Sequence, residues 1–76
     1  MELNVFVAQF ADQFFNTDIS VFKPETKFRN LDEWSSLMAL SVIAMVDEEY
    51  GIALQGNDMK AAVTIEDLFN IVKSKL

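Results

Sequence analysis

The patterning of the chain predicts an all-α fold, a small four-helix bundle with three main helices, one short helix and a long first loop. Apolar residues recur at three- and four-residue spacing in three separate segments, no alternating run of useful length occurs, and Pro24 and Gly51 both fall between the periodic segments. At 76 residues with an apolar fraction of 51%, the chain has the size of one domain, residues 1–76, with a modest core.

In the first segment Leu3, Phe6, Val7, Phe10 and Phe14 fall on one stripe, which predicts a helix from about residue 2 to 15. Gln9, Asp12 and Gln13 take its other side, and the turn formers Asn16, Thr17 and Asp18 end it. From there to Ser35 no periodicity is present, yet Val21, Phe22, Phe28, Leu31 and Trp34 are too apolar for a disordered linker. The expectation is a long loop pinned to the core by its aromatics.

From Ser36 to Tyr50 the helical period returns, with Ala39, Val42, Ile43, Val46 and Tyr50 on one face and Gly51 placed as a left-handed stop. A short third helix of a turn or two is expected with Asn57 or Asp58 as its N-cap, ending near Ala62. Thr64 with Asp67 three residues later resembles a capping box, and Ile65, Leu68, Phe69, Val72 and Leu76 continue as a stripe to the end of the sequence.

Composition bounds the function. Twelve acids against six bases leave a net charge of −6, which disfavours nucleic acid and anionic membrane surfaces and favours partners with basic surfaces. The chain has no His and no Cys, so the usual general base, thiolate chemistry and disulfides are absent, and no carboxylate cluster has metal-ligand spacing. An enzyme is not expected. No apolar run approaches the ~18 residues of a membrane span, and the opening "MELNVFVAQFADQFF" carries Glu2 and Asp12 without a basic leader, so a cytoplasmic monomer is the expectation.

If Val42 marks the centre of the buried face of the second helix, rotation by about 100° per residue turns Ser36, Leu37, Leu40, Ser41, Ala44, Asp47 and Glu48 away from the core. Such a strip, apolar in the middle and acidic at its end, suits a partner whose apolar groove is bordered by Arg or Lys.

The span from Phe28 to Tyr50, read as F-x-x-L-x-x-W-x-S-L-x-x-x-x-x-I-x-x-V-D-E-E-Y, resembles the carrier-domain signature of acyl carrier proteins, in which an Asp-Ser-Leu triplet opens the second helix. Length, acidity, helix order, the long first loop, "EEYGI" and Thr64 at the start of the last helix fit the same family. The resemblance implies a four-helix bundle whose Ser36 is esterified by a phosphopantetheinyl transferase with the 4′-phosphopantetheine of coenzyme A. The thiol of that arm would then shuttle acyl or aminoacyl thioesters between partner enzymes of fatty-acid, polyketide-like or related biosynthesis. It also implies that an acyl chain can fold back among Phe28, Met45, Val46, Ala62, Ile65 and Leu68.

Two departures from the family pattern stand out. Ser35 replaces the Asp that precedes the modified serine in most carriers; it can still cap the helix, but the charge that meets the transferase is lost. Met38, Ser41 and Ala44 lie where fatty-acid-type carriers place acids, so recognition is expected to be more apolar and the carrier a specialised one. The alternative reading is an unmodified helical module of the same fold that holds a partner through Leu37 and Leu40.

Overall fold

The computed structural model describes residues 1–76 and contains four α-helices and no strands, a small all-α bundle. The helices are α1 (Leu3–Ala11), α2 (Ser36–Tyr50), α3 (Gly56–Ala61) and α4 (Ile65–Ser74). The loop between α1 and α2 contains two single 3₁₀ turns, Ile19–Val21 and Phe28–Asn30. α1 packs against α4 and α2, and α3 packs against α4.

α1 stops four residues short of the expected end. After Ala11 the bonding tightens to three-residue spacing, with the Gln13 N–H donating to the Phe10 carbonyl at 3.2 Å and the Phe14 N–H to that of Ala11 at 3.0 Å. The next two amides, of Phe15 and Asn16, donate to the Glu33 carboxylate at 2.7 and 3.0 Å, and the Thr17 hydroxyl joins them at 2.7 Å. A long-range acceptor therefore replaces the carbonyls that would have continued the helix.

The loop is held by its aromatics, as its composition suggests. Phe22 and Phe28 are buried and Leu31 and Trp34 half-buried against the core; Val21, however, is exposed. Phe10 lies at the centre, with ring centroids 5.6 Å from Phe14, 5.6 Å from Phe28, 6.2 Å from Trp34 and 6.4 Å from Phe22. Backbone bonds add a second tie: the Ile65 and Glu66 amides at the start of α4 donate to the Thr26 and Pro24 carbonyls at 3.1 and 2.9 Å, and Lys27 forms an isolated antiparallel bridge with Thr64.

The caps of α2 and α4 match expectation. Gly51 ends α2 at φ 67°, a conformation that an L side chain rarely adopts. Thr64 Oγ accepts from the Asp67 N–H at 3.0 Å, while the Asp67 carboxylate accepts from the Thr64 and Val63 N–H groups at 2.9 and 3.0 Å. These backbone bonds, Thr64 first, hold the Asp67 carboxyl below its ordinary titration range.

α3 begins earlier than expected. Gln55 is its N-cap, and Asp58, expected as a cap itself, sits in the first turn and accepts from the Gln55 N–H at 2.9 Å. Leu76 is exposed beyond the last turn of α4 instead of extending its buried stripe.

On α2 the buried face is rotated from the one expected. Met38, Val42, Met45 and Val46 are buried, while Ala39, Ile43 and Tyr50 lie half-buried at its edge. The core so assembled holds 18 residues, all apolar.

Two outcomes test this architecture. Phe10→Ala should cost about 3–5 kcal/mol, a large share of the roughly 4–11 kcal/mol available to a domain of this size, and chemical denaturation should show the midpoint moved to much lower denaturant. Glu33 tests the loop clasp. The bonds from Phe15 first, then Thr17 and Asn16, keep its carboxyl below the usual range. Their contribution is therefore complete above the unfolded carboxyl's value of about 4.3 and is lost as pH falls through the lower folded value. In acid titrations monitored by circular dichroism, Glu33→Gln should be less stable at neutral pH and show a shallower loss of stability below about pH 4.

Candidate functional site

The start of α2 is built from the residues just before it. The Trp34 N–H closes a turn on the Leu31 carbonyl at 3.0 Å, and the indole packs on Phe28 with centroids 4.8 Å apart, so the chain enters the helix from an anchored position. Ser35 is the N-cap with extended backbone at φ −157° and ψ 172°, and its Oγ accepts from the Met38 N–H at 3.1 Å. Its carbonyl accepts from the Ala39 N–H at 2.9 Å. The cap expected of this serine is thus in place, and its hydroxyl is occupied by it.

Ser36, the next residue, has a different situation. Its side chain is exposed and makes no hydrogen bond, and the amides of Ser36 and Leu37 have no acceptor in the chain. The positive end of the helix dipole therefore lies beside a free primary hydroxyl.

The outward strip is as rotation placed it, with two corrections. Leu37 and Leu40 are 75% and 60% exposed, and Ala44, Asp47 and Glu48 are exposed beside them. Ser41 is only half-buried, not fully outward. Met38 is buried as part of the apolar core, where its flexible side chain can adapt to its neighbours. The apolar strip thus consists of Leu37, Leu40 and Ala44, with acid at its C-terminal end.

A cleft of about 510 Å³ opens directly beside Ser36. On one wall stand Ser35, Ser36, Ala39 and Ile43 of α2 and its approach, on the other Gly56, Met59 and Lys60 of α3, with Trp34 and Arg29 between. It exists because α3 is only six residues long and leaves the Ala39–Ile43 edge of α2 uncovered. Arg29 is held firmly, its two terminal nitrogens donating to the Met59 and Ala62 carbonyls at 2.8 and 2.6 Å and its guanidinium 5.2 Å from the Phe28 ring centroid. Sequence reasoning did not single out Arg29, Lys60 or Met59; the available signal was that Arg29 is the sole arginine of an acidic chain.

Another cleft, of about 490 Å³ on the first loop, is lined by Asn16, Asp18, Asn30, Asp32 and Glu33 among others and includes no hydroxyl at a helix start. Phe28, Met45, Val46, Ala62, Ile65 and Leu68, the residues implied for an enclosed acyl chain, are all buried in the core. No group of three or more His, Cys, Asp or Glu side chains is arranged to hold a metal ion. No helix is long and apolar enough to cross a membrane.

Comparison of the chain with protein-family models, with curated proteins and with solved structures returned no match.

The division of labour between the serines is measurable. Ser35→Ala should lower stability by about 1 kcal/mol through the lost cap, whereas Ser36→Ala and Leu37→Asp should stay within about 0.5 kcal/mol of the parent. Urea titration distinguishes them, and a loss of helical signal in Leu37→Asp would show that this leucine supports the core.

Proposed function

We propose that this protein is a carrier that receives a 4′-phosphopantetheine arm on Ser36 from coenzyme A and presents acyl or aminoacyl thioesters to partner enzymes. The observation that carries this reading is the position of Ser36: an unengaged hydroxyl at the first residue of α2, lining a cleft with apolar walls and two cations. The resemblance of the Phe28–Tyr50 pattern to the acyl carrier signature supports the same residue.

The local chemistry fits such an arm. Two unpaired amides and the helix dipole tolerate a phosphodiester at Ser36. Trp34, Ala39, Ile43 and Met59 offer an apolar wall for the arm to lie against. When bound, the arm supplies a thiol on which acyl groups travel as thioesters, chemistry that a chain without Cys lacks. The protein's own residues hold and orient the arm, while bond making and breaking belong to the partners, which is consistent with the absence of any His or Cys to serve as base or nucleophile.

Partners are a phosphopantetheinyl transferase and acyl-activating or acyl-transferring enzymes with basic surfaces, met by Leu37, Leu40 and Ala44 with Ser35 and Ser41 at the edge of the strip. Asp47 and Glu48 provide the charge that steers such encounters. The reading is of a monomer acting in the cytoplasm.

A second reading is favoured by one observation: Ser35 stands where carriers have Asp, and its hydroxyl is already spent on the cap. On that reading the chain is an unmodified module that binds through Leu37 and Leu40.

Intact mass after incubation with coenzyme A and a broad-specificity transferase decides between the two. The expected result is a gain of one arm on the parent and on Ser35→Ala and none on Ser36→Ala; an unchanged parent mass would establish the second reading. Ser35→Asp should be modified faster than the parent, because it restores an acid at the transferase contact while keeping the cap. Equal initial rates would show that this position does not contact the transferase.

A further inference from the structure

The cleft beside Ser36 has a charge opposite to that of the molecule around it. The chain carries −6 overall, yet two of its six basic residues, Arg29 and Lys60, line this one cleft and no carboxylate does. Neither cation is neutralised: the single ion pair of the protein joins Lys75 to Asp58 at 3.5 Å. Asp58, the acid nearest in sequence to Lys60, is doubly engaged, by Lys75 and by the Gln55 N–H.

The donors on these two side chains are largely uncommitted. Arg29 spends two of its five N–H groups on the Met59 and Ala62 carbonyls, which fix the plane of the guanidinium and leave three free. The Lys60 side chain makes no hydrogen bond and no ion pair, so its three N–H groups are free as well. Arg29 thus supplies a fixed positive group and Lys60 an adjustable one, in a cleft whose apolar lining is Trp34, Ala39, Ile43 and Met59. The ligand that complements such a cleft has a short apolar stem and an anionic end.

We propose that Arg29 and Lys60 seat an anionic group of the load on Ser36, either the terminal carboxylate of a short acyl chain or the phosphodiester of the arm; this rests on Ser36 being the attachment point. A phosphodiester seat leaves the wall of Ile43 and Met59 to the rest of the arm, whereas a carboxylated acyl chain engages both the wall and the cations. In that case the protein discriminates among cargoes of equal length by their terminal charge.

The sign of one measurement makes the test strict. A carboxylate on a protein of charge −6 feels a net negative field, which raises its titration point relative to the free thioester unless cations or N–H donors lie beside it. The part of a lowering that disappears with the Lys60 charge belongs to the cations of the cleft. The arm is loaded with a succinyl group labelled at its terminal carboxylate carbon, and the pH titration of that carbon's NMR signal is compared with that of free S-succinyl-pantetheine. A downward shift of about 0.5 pH unit is expected for each cation roughly 6 Å away through water. Lys60→Gln should remove part of the shift and Lys60→Glu should cancel most of it, because Arg29 remains; the Lys60 side chain is exposed and makes no hydrogen bond, so both variants keep the fold, as circular dichroism will show.

The phosphorus NMR signal of the unacylated arm, recorded in parent and Lys60→Glu, distinguishes the two sources. A signal that moves with the substitution while the succinyl carboxylate titrates as in the free thioester assigns the seat to the phosphodiester. Movement of neither signal overturns the proposal. Failure of Ser36 to gain the arm in intact mass overturns the carrier reading itself, and this seat with it.

Discussion

The contact on which the rest of the molecule depends is the ring of Phe10 and the four aromatics around it. One side chain from α1 meets Phe14 from the turn that follows it, Phe22 and Phe28 from the long loop and Trp34 from the approach to α2. A loop of this length has a large conformational entropy to lose, and its 3₁₀ turns contribute few bonds of their own. Burial of Phe22 and Phe28 and stacking of Trp34 offset that loss. The place where α2 begins, and hence which hydroxyl stands at its first residue, is set by where Trp34 is held.

The electrostatics are arranged around this apolar centre, not within it. No polar or charged residue is buried, and no buried side-chain polar atom lacks a partner. Apart from Asp58, which binds the Gln55 N–H and pairs with Lys75, the capping and clasping acids act on backbone amides: Asp18 on Ser20, Glu33 on Phe15 and Asn16, and Asp67 on Thr64 and Val63. Because these carboxylates are matched to N–H groups and not to Lys or Arg, they remain negative without neutralising the few cations. A strongly acidic surface and a locally positive cleft can therefore coexist on one small domain.

The helices and most of their ends were legible in the residues, since the stripes of α1, α2 and α4, the Gly51 stop and the Thr64–Asp67 box depend on neighbours within one or two turns. Ser35 as a cap was legible for the same reason. What depended on distant partners was not. The early end of α1 requires the Glu33 carboxylate, which lies 17 or 18 residues away from the amides it binds. The half-burial of Ile43 reflects the side of α2 that the short α3 leaves uncovered, and neither this nor the burial of Met38 can be read from periodicity on α2 alone. For the site, the exposure of Ser36, Leu37 and Leu40 follows from rotation about the helix axis. The pairing of Arg29 with Lys60 across a cleft follows only from the folded path of the loop.

Trp34 belongs to two environments at once. It is the only tryptophan in the chain, it stacks 6.2 Å from Phe10 with the rings nearly parallel, and it also lines the cleft next to Ser35 and Ser36. Its indole therefore serves as a built-in optical reporter. Occupation of the cleft replaces water beside the ring and moves the wavelength of its emission while helicity is unchanged, whereas unfolding moves the wavelength and the helical signal together. Recorded side by side, the two signals separate what enters the cleft from what happens to the domain, with no label attached to the protein.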